Sequence, residues 1–426
     1  MDLTSQKRHS KWYERVFFST TVQILIATVV CALLPAVLLW GLNFYEHPSH
    51  TRLNSVVGVV ICNMGILITL RHIFQFPGNR GYGFIMTPVV VWYTLLLALF
   101  FITRLNYSTV YIAICLAIAV VYAFFGHFFG RRWFIPKIAV APFGYAQNLL
   151  NTGNALWYPL RQPALLCDTR IDMIVADLHS EQLDENWQKF LAHCVLSGIP
   201  VYNAKQVEES LTGRVRIRHM YENELGSLLP SAVYSTLKRL IDLFLVIVSA
   251  PLVIPILIIT AIAIRCESSG PVLFTQNRVG KGCKEFRIYK FRSMALNSEA
   301  EGAQFAQSND SRVTRVGKFI RKMRIDELPQ FVNVLKGDMS LIGPRPEQKI
   351  FVDAFEEQIP FYNYRHIVRP GISGWAQVTQ GYTADVDDTQ IKIEHDFYYI
   401  KNFSLWLDLL IIFKTIKTML TGFGAR

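Results

Sequence analysis

The chain is poor in charge and in anything that would cross-link or chelate. Of its 426 residues only 18% are Asp, Glu, Lys or Arg while 51% are hydrophobic, a balance too apolar for an ordinary soluble protein of this length. The seven cysteines (Cys31, Cys62, Cys115, Cys167, Cys194, Cys266, Cys283) form no close pair and no CxxC. Three of them fall inside apolar runs, which argues against a disulfide framework. The ten histidines show no HExxH or other ligand spacing, so no protein-only zinc site is expected. No zinc finger or other nucleic-acid motif accompanies the net charge of +11, and the excess is assigned to anionic lipid headgroups rather than nucleic acid. A GxGxxG loop is missing as well.

What is present begins with apolar runs: about Val16–Leu42, Leu53–Leu70, Phe84–Thr103 and Val110–Phe129. Each is long enough to cross a hydrocarbon core of about 30 Å as a helix. The first is too long for a removable signal peptide, has no small-residue cleavage site, and should remain as an anchor. Lys7, Arg8, Lys11 and Arg15 precede the first run, Arg71 and Arg80 lie between the second and third, and Arg131, Arg132 and Lys137 follow the fourth, whereas the other two loops hold only Arg52 and Arg104. The cation-rich sides therefore include both ends of the block, and everything after Gly130 is expected to start in the cytoplasm.

A fifth run, Leu243–Ile264, carries Lys238 and Arg239 before it and Arg265, Arg278, Lys281 and Lys284 after it. Cations on both sides favour a segment that enters and leaves by one face, with Pro251 and Pro255 as the break because each removes a helix hydrogen bond. Phe403–Leu420 is apolar over most of its surface; it reads equally as an interfacial helix or a packed C-terminal one.

Between the spans and the C-terminal half, Ile138–Ala141, Ile171–Ala176 and Ile199–Tyr202 read as strands and Asp184–Leu196 as a helix, an alternation that predicts a small α/β domain with a parallel sheet. Ala141-Pro-Phe-Gly144 follows the first strand, and one glycine cannot give both the tight turn and the close pyrophosphate approach, so no nicotinamide or flavin is expected there. Asp177 is read as a helix cap. Arg214, Arg216 and Arg218 alternate with Val and Ile and are read as a solvated edge strand.

The densest chemistry lies in Arg321-Lys-Met-Arg324-Ile-Asp326-Glu327-Leu-Pro329 and the segment that follows, to Glu347. Pro329 suits the first turn of a helix running to about Leu335, which places Asp326 and Glu327 just ahead of a positive helix end. Arg321 and Arg324 precede them, and Arg345 is held in a stiff loop between Pro344 and Pro346. Guanidinium forks suit phosphate oxygens, so the cluster reads as an anionic-substrate site.

At these residues the chain resembles the monotopic polyprenyl-phosphate phosphoglycosyl transferases, also called bacterial sugar transferases. The resemblance covers about Lys238 to Arg426. It rests on Gly270-Pro-Val-Leu-Phe-Thr-Gln-Asn-Arg278-Val-Gly280, Tyr289-Lys290-Phe-Arg292-Ser-Met, Asp326-Glu327-Leu-Pro, Lys336-Gly-Asp338-Met-Ser, Gly343-Pro-Arg345-Pro and Arg369-Pro-Gly371-Ile-Ser-Gly374-Trp375-Ala-Gln, in that order. It implies a membrane protein of three parts: four N-terminal transmembrane helices (1–132), a small Rossmann-like α/β domain (133–230), structural or oligomer-forming, and a mainly α catalytic domain (231–426). The last would carry a re-entrant helix at about 238–265, broken at Pro255 with Pro251 as an extra proline, and interfacial helices.

The implied reaction moves a sugar 1-phosphate from a UDP-sugar, with glucose favoured, to undecaprenyl phosphate, giving undecaprenyl diphosphate sugar and UMP. This would initiate exopolysaccharide, capsule or O-antigen synthesis at the cytoplasmic face of a bacterial inner membrane. By the resemblance Asp326 is the nucleophile, Glu327 holds Mg²⁺, and Arg321 and Arg345 contact phosphate, with Lys290, Arg292 and Arg278 as further substrate cations. Arg369 to Trp375 would shape the site, and Trp375 reads equally as an interfacial anchor. Expected partners are the bilayer, further copies of the chain and polysaccharide assembly enzymes. Two rivals stand beside this reading: a polytopic sugar-phosphate transferase, which would place aspartate-rich loops between dense spans, and a non-catalytic membrane scaffold of a polysaccharide assembly complex.

Overall fold

A computed structural model describes residues 12–17, 19–42, 45–46, 49–74, 76–77, 83–151, 155–165, 169–217, 229–294, 312–380 and 386–421. They divide into two compact units, Met1–Gly213 and Arg214–Arg426. Five helices among them are long and apolar enough to cross a membrane: Thr20–Trp40, His50–Ile73, Ile85–Thr103, Thr109–Gly126 and Ala232–Glu267. The first four coincide with the four N-terminal runs.

In the first unit these four helices share one apolar core that includes Cys31, Val59, Cys62, Val89, Tyr93 and Cys115. The first helix widens into a π segment at Val29–Leu33 just before Pro35, where the missing proline N–H disturbs the regular ladder. Aromatic and hydroxyl groups tie the helices together. Trp40 stacks on Tyr111 at 4.8 Å, Tyr111 Oη donates to Ala32 O at 2.9 Å and Trp92 Nε1 to Thr69 Oγ1 at 3.0 Å. The six described cysteines are free thiols; Cys167 lies outside the described residues.

The α/β region of this unit is a four-stranded parallel sheet in the order β2-β1-β3-β4, with β1 Lys137–Val140, β2 Leu156–Pro159, β3 Met173–Ala176 and β4 Val201–Asn203. Helix Glu185–Leu196 is capped by Asp184, which accepts from Trp187 N at 2.8 Å. The loop after β1 is filled by a carboxylate. Gly144 has φ +58°, and a Cβ there would lie 2.4 Å from Asp177 Oδ2. Asp177 accepts from Tyr145 N at 2.9 Å and from His179 N at 3.2 Å. Its capping therefore serves the 3₁₀ segment Gly144–Asn151 after β1 as well as its own turn.

The second unit opens with 214–217, which form no strand. Val215 N donates to Glu394 O at 3.0 Å, Ile217 N to Glu394 Oε1 at 3.4 Å, and the guanidinium groups of Arg214 and Arg216 each approach Glu394 Oε2 to 4.0 Å. The edge strand expected here is thus replaced by a strap onto helix Val386–Lys401; Arg218 lies outside the described residues. Ala232–Glu267 is one 36-residue helix with Pro251 and Pro255 inside it, about 54 Å long at 1.5 Å per residue. The break expected at those prolines is not an interruption of the helix.

Val246, Val253, Thr260 and Ile264 of that helix are buried on one face, while Leu237, Phe244, Ile247, Leu252, Ile258 and Ile259 are exposed. Both of its ends are fastened to the second unit. At the first, Tyr234 Oη and Lys238 Nζ reach Asp408 Oδ2 at 2.5 Å, Ser340 Oγ donates to Asp242 Oδ2 at 2.7 Å, and Arg239 donates to the Val334 carbonyl. At the other, Glu267 Oε1 accepts from Arg315 N at 2.8 Å, and Ile264 packs on Phe291 and Ile320.

The body of the unit holds an antiparallel hairpin, β5 Leu273–Val279 and β6 Glu285–Phe291, and a parallel pair, β7 Ser340–Ile342 and β8 Gly371–Ser373. Of the two readings of the C-terminal run the structure supports the packed one: in helix Leu405–Thr421, Leu407, Leu410 and Ile411 are wholly buried, and its polar Asp408, Lys414 and Thr418 are buried too. Trp375, at 1% exposure, is equally removed from any interface. It stacks on Tyr398 at 5.8 Å and lies under Lys414 Nζ at 4.2 Å.

Candidate active site

Asp326 and Glu327 lie in the first turn of a 3₁₀ helix, Ile325–Gln330, that runs into an α-helix, Phe331–Lys336. Helical structure thus begins about four residues before the expected start at Pro329, and the carboxylates sit inside its first turn. Arg324, in front of them, adopts a left-handed conformation (φ +52°); a non-glycine residue there stores strain, a feature of functional turns.

The two neighbouring carboxylates differ sharply. Glu327 is buried and ringed by cations: Arg345 Nη1 at 3.1 Å and Lys290 Nζ at 3.3 Å on Oε1, and Arg324 Nη1 at 3.7 Å on Oε2. Burial alone would raise its pKa, but Lys290, Arg345 and Arg324 outweigh it and hold the carboxyl well below the usual range. Asp326 makes no ion pair or side-chain hydrogen bond with a described residue and is only partly buried. Burial, and then the charge of Glu327, push its pKa up, opposed by Lys290, Arg321 and Arg345. The pair thus has one member held charged by three cations and one of raised proton affinity that makes no ion pair or side-chain hydrogen bond among the described residues.

Several side chains fix this geometry. Lys290 is delivered by β6, whose Tyr289 N donates to Asn333 Oδ1 at 3.2 Å; Asn333, wholly buried, also donates to Arg287 O at 2.7 Å. One carboxamide so clamps the strand bearing Lys290 to the helix that follows Glu327. Arg321 Nε donates to Ser293 Oγ at 2.8 Å, and Thr314 N to Ser293 O at 3.1 Å, which seats helix Arg315–Lys322 beside Asp326. Arg345 hangs from the loop after β7. That loop meets residues 369–374, which include β8, in a backbone seam with no room for a Cβ at its glycines. A Cβ at Gly343 would lie 2.4 Å from Arg369 O, at Gly371 2.0 Å from Gly343 N, and at Gly374 2.4 Å from Gly343 O.

The structure therefore brings Asp326, Glu327, Lys290, Arg321, Arg324 and Arg345 together. Two other expected substrate cations are directed elsewhere. Arg292 is buried and donates to Ser268 O and Ser269 O, both at 2.9 Å, and to Ser268 Oγ at 2.7 Å, so it braces the exit of the long apolar helix. Arg278 Nη1 donates to Pro346 O and Glu347 Oε2, both at 3.3 Å, and so holds the loop that carries Arg345. Asn333, Arg365 and Asp396 were not singled out by sequence. Only the spacing of Asn333 six residues after Glu327 hints at a shared element.

Among the described residues no three His, Cys, Asp or Glu side chains cluster as a metal site. Mg²⁺ needs no such cluster, since it uses one or two carboxylates and completes its octahedron with water and substrate phosphates. Glu327 Oε2 is buried with no hydrogen-bond partner, and this is the atom such an ion would take.

The bacterial sugar transferase family model matches residues 233–422, the segment that contains every residue of the site. Over 424 residues, 100% of both chains, the sequence is 53% identical to a UDP-N-acetylgalactosamine-undecaprenyl-phosphate N-acetylgalactosaminephosphotransferase of Aeromonas hydrophila. It is 40% identical over 188 residues to the UDP-glucose:undecaprenyl-phosphate glucose-1-phosphate transferase of Escherichia coli, covering 44% of this chain and 40% of that one. A putative undecaprenyl-phosphate N-acetylgalactosaminyl 1-phosphate transferase of Bacillus subtilis is 48% identical over 135 residues, 32% of this chain and 75% of its own.

Proposed function

The chain belongs to the bacterial sugar transferase family and is an undecaprenyl-phosphate sugar phosphotransferase; from that premise we propose that Asp326 attacks the sugar-proximal phosphorus of a UDP-sugar and forms an aspartyl phosphosugar. The bond made is from a carboxylate oxygen to that phosphorus, and the bond broken joins it to the oxygen that departs with UMP. Undecaprenyl phosphate then attacks the same phosphorus and frees Asp326. An acyl phosphate keeps the group activated for this weak second nucleophile.

The observation that carries the reading is the contrast between the neighbouring carboxylates. Glu327 is held in ion pairs by Lys290, Arg324 and Arg345, whereas Asp326 makes no ion pair or side-chain hydrogen bond with a described residue. A carboxylate meant to form a bond has to be free, and one meant to organise charge has to be fixed. Lys290, Arg321 and Arg345 stabilise the charge that develops as one anion approaches another. Mg²⁺, held by Glu327 with the substrate phosphates, would neutralise the diphosphate.

We take UDP-N-acetylgalactosamine as the donor in preference to the UDP-glucose expected from sequence, because the relative matched over its whole length is named for the former. The helix Ala232–Glu267 is read as entering and leaving the bilayer by one face, with Asp326 on the cytoplasmic side. Support comes from the attachment of both helix ends to the same compact unit and from the exposed apolar face between them.

The test is UMP release by detergent-solubilised protein, with each UDP-sugar in turn, before any lipid phosphate is added. A burst of UMP and retention of label from a donor radioactive at its β-phosphate are expected, strongest with UDP-N-acetylgalactosamine. A requirement for both substrates before any UMP appears would refute the covalent route.

A further inference from the structure

The loop that presents Arg345 is gripped through its backbone by buried ions. Arg365, 2% exposed, donates from Nη2 to Arg345 O at 2.8 Å and to Asp396 Oδ2 at 2.8 Å, and from Nη1 to Tyr362 Oη at 2.9 Å. Asp396 is 1% exposed. One residue further along, Arg278 holds the Pro346 carbonyl and Glu347, whose other oxygen accepts from Lys392 Nζ at 2.6 Å. Glu347 O in turn accepts from Val279 N at 2.9 Å. Pro344 and Pro346 have no N–H, so this loop cannot brace itself through those positions; its Arg345 and Pro346 carbonyls are held by guanidinium groups from elsewhere in the fold.

Two features set this apart from ordinary packing. Buried ion pairs seldom add net stability over an apolar pair of the same volume, because both charges must be desolvated. The carboxylates here are placed to orient the arginines that hold the loop, and Lys392, Arg365 and Arg278 keep Glu347 charged, at a pKa lowered to about 2 against the effect of burial. The contacts also converge on the backbone of the one loop whose side chain reaches the catalytic carboxylate pair.

Resting on the phosphotransfer reading above, we infer that Arg365 and Asp396 are positioning residues: through the Arg345 carbonyl they fix the Arg345 guanidinium against Glu327 and the donor phosphates. They touch no reacting atom. Their effect on rate passes through Arg345 and vanishes when Arg345 is removed.

A double-mutant cycle on the full-length protein separates this from a structural role, because residues that act through one another are non-additive. Asp396→Asn keeps shape and removes charge. It should slow UMP release about 10-fold, as a small displacement of a positioned group does, yet change it less than about 2-fold in an Arg345→Ala background. It should also speed hydrogen exchange at the amides of Gly371 and Val279, which donate to Pro344 O and Glu347 O at 2.9 Å. Tyr362→Phe, which removes one acceptor from Arg365, should act in the same direction with a smaller effect, and it decides the matter if Asp396→Asn does not fold. Equal losses in both backgrounds, or unchanged rate and exchange, would overturn the inference. If the wild type releases no UMP from any UDP-sugar, the activity assignment fails; exchange at Gly371 and Val279 then judges the loop on its own, and unchanged exchange overturns the inference.

Discussion

Each unit places an aspartate against a 3₁₀ segment, and the two aspartates have opposite fates. Asp177, in the α/β region, has both carboxylate oxygens taken by backbone amides, from Tyr145 and His179, and lies against Gly144 in the loop where a dinucleotide fold would admit a pyrophosphate. Asp326 receives no hydrogen bond from a described residue, lies among Lys290, Arg321 and Arg345, and has its proton affinity raised by burial and by Glu327. An aspartate satisfied by amides is an architectural cap. One surrounded by cations that do not bond to it is left reactive. The residue type is the same and the surroundings differ: Asp177 follows a strand and caps a 3₁₀ segment from outside, whereas Asp326 lies within one, among cations.

The largest effect that tests this contrast is at Asp326 itself. Asp326→Asn removes the proposed nucleophile while preserving shape and should lower UMP release by about 10⁴-fold and abolish retention of labelled phosphosugar. Near-normal turnover would remove the distinction between the two aspartates. Glu327→Gln should cost about 10²-fold in both half-reactions and weaken the Mg²⁺ dependence, since it loosens Lys290 and Arg345 together; measuring each half-reaction separately checks this.

The pH profile is the next test. Asp326 must be ionised to attack, and its pKa is raised, so UMP release should fall on acidification at a higher pH than an ordinary aspartate would give. An acid whose folded pKa is raised favours the protonated folded state, so its charge costs stability above that pKa. Asp326→Asn should therefore raise the thermal midpoint at pH 8, and the gain should vanish at pH values below the range of an unfolded carboxylate. A lowered midpoint at pH 8 would contradict the electrostatic account.

The smallest effect belongs to the other aspartate. Asp177→Ala should cost about 1 kcal/mol of stability, as the loss of a cap does, and leave UMP release within about 2-fold, because both its carboxylate oxygens are spent on backbone amides. A large kinetic loss would mean that the α/β region contributes to the reaction.

Legibility followed the range of the physics. The four N-terminal helices were readable because each is a long apolar run, and β1, β3 and β4 because short β-branched stretches are bounded by turns. β2, Leu156–Pro159, was missed: it is a four-residue edge strand with exposed ends that closes on a proline, which weakens both the alternation and the propensity on which a strand reading depends. Asp326, Glu327, Lys290, Arg321 and Arg345 stand out as a motif. Whether a motif arginine meets substrate is a tertiary fact, and Arg292 turns instead to the carbonyls of Ser268 and Ser269, brought to it by the end of a long helix. Arg365 and Asp396 lie 31 residues apart; in sequence the first is one cation beside a histidine and the second part of a polar helix face. Leu405–Thr421 misleads in the reverse sense, because Asp408 and Lys414 look like its wet side and are in fact its buried one.

The interlocked glycines after β7 and β8 have a consequence for how such enzymes diverge. At Gly343, Gly371 and Gly374 the obstacle to even a methyl group is main chain, which cannot step aside as a side chain can. Drift at these positions is closed, and with it any change in the spacing between Arg345 and the segment that begins at Trp375. A lineage that acquires a new sugar preference has to do so around this fixed seam, through residues outside it.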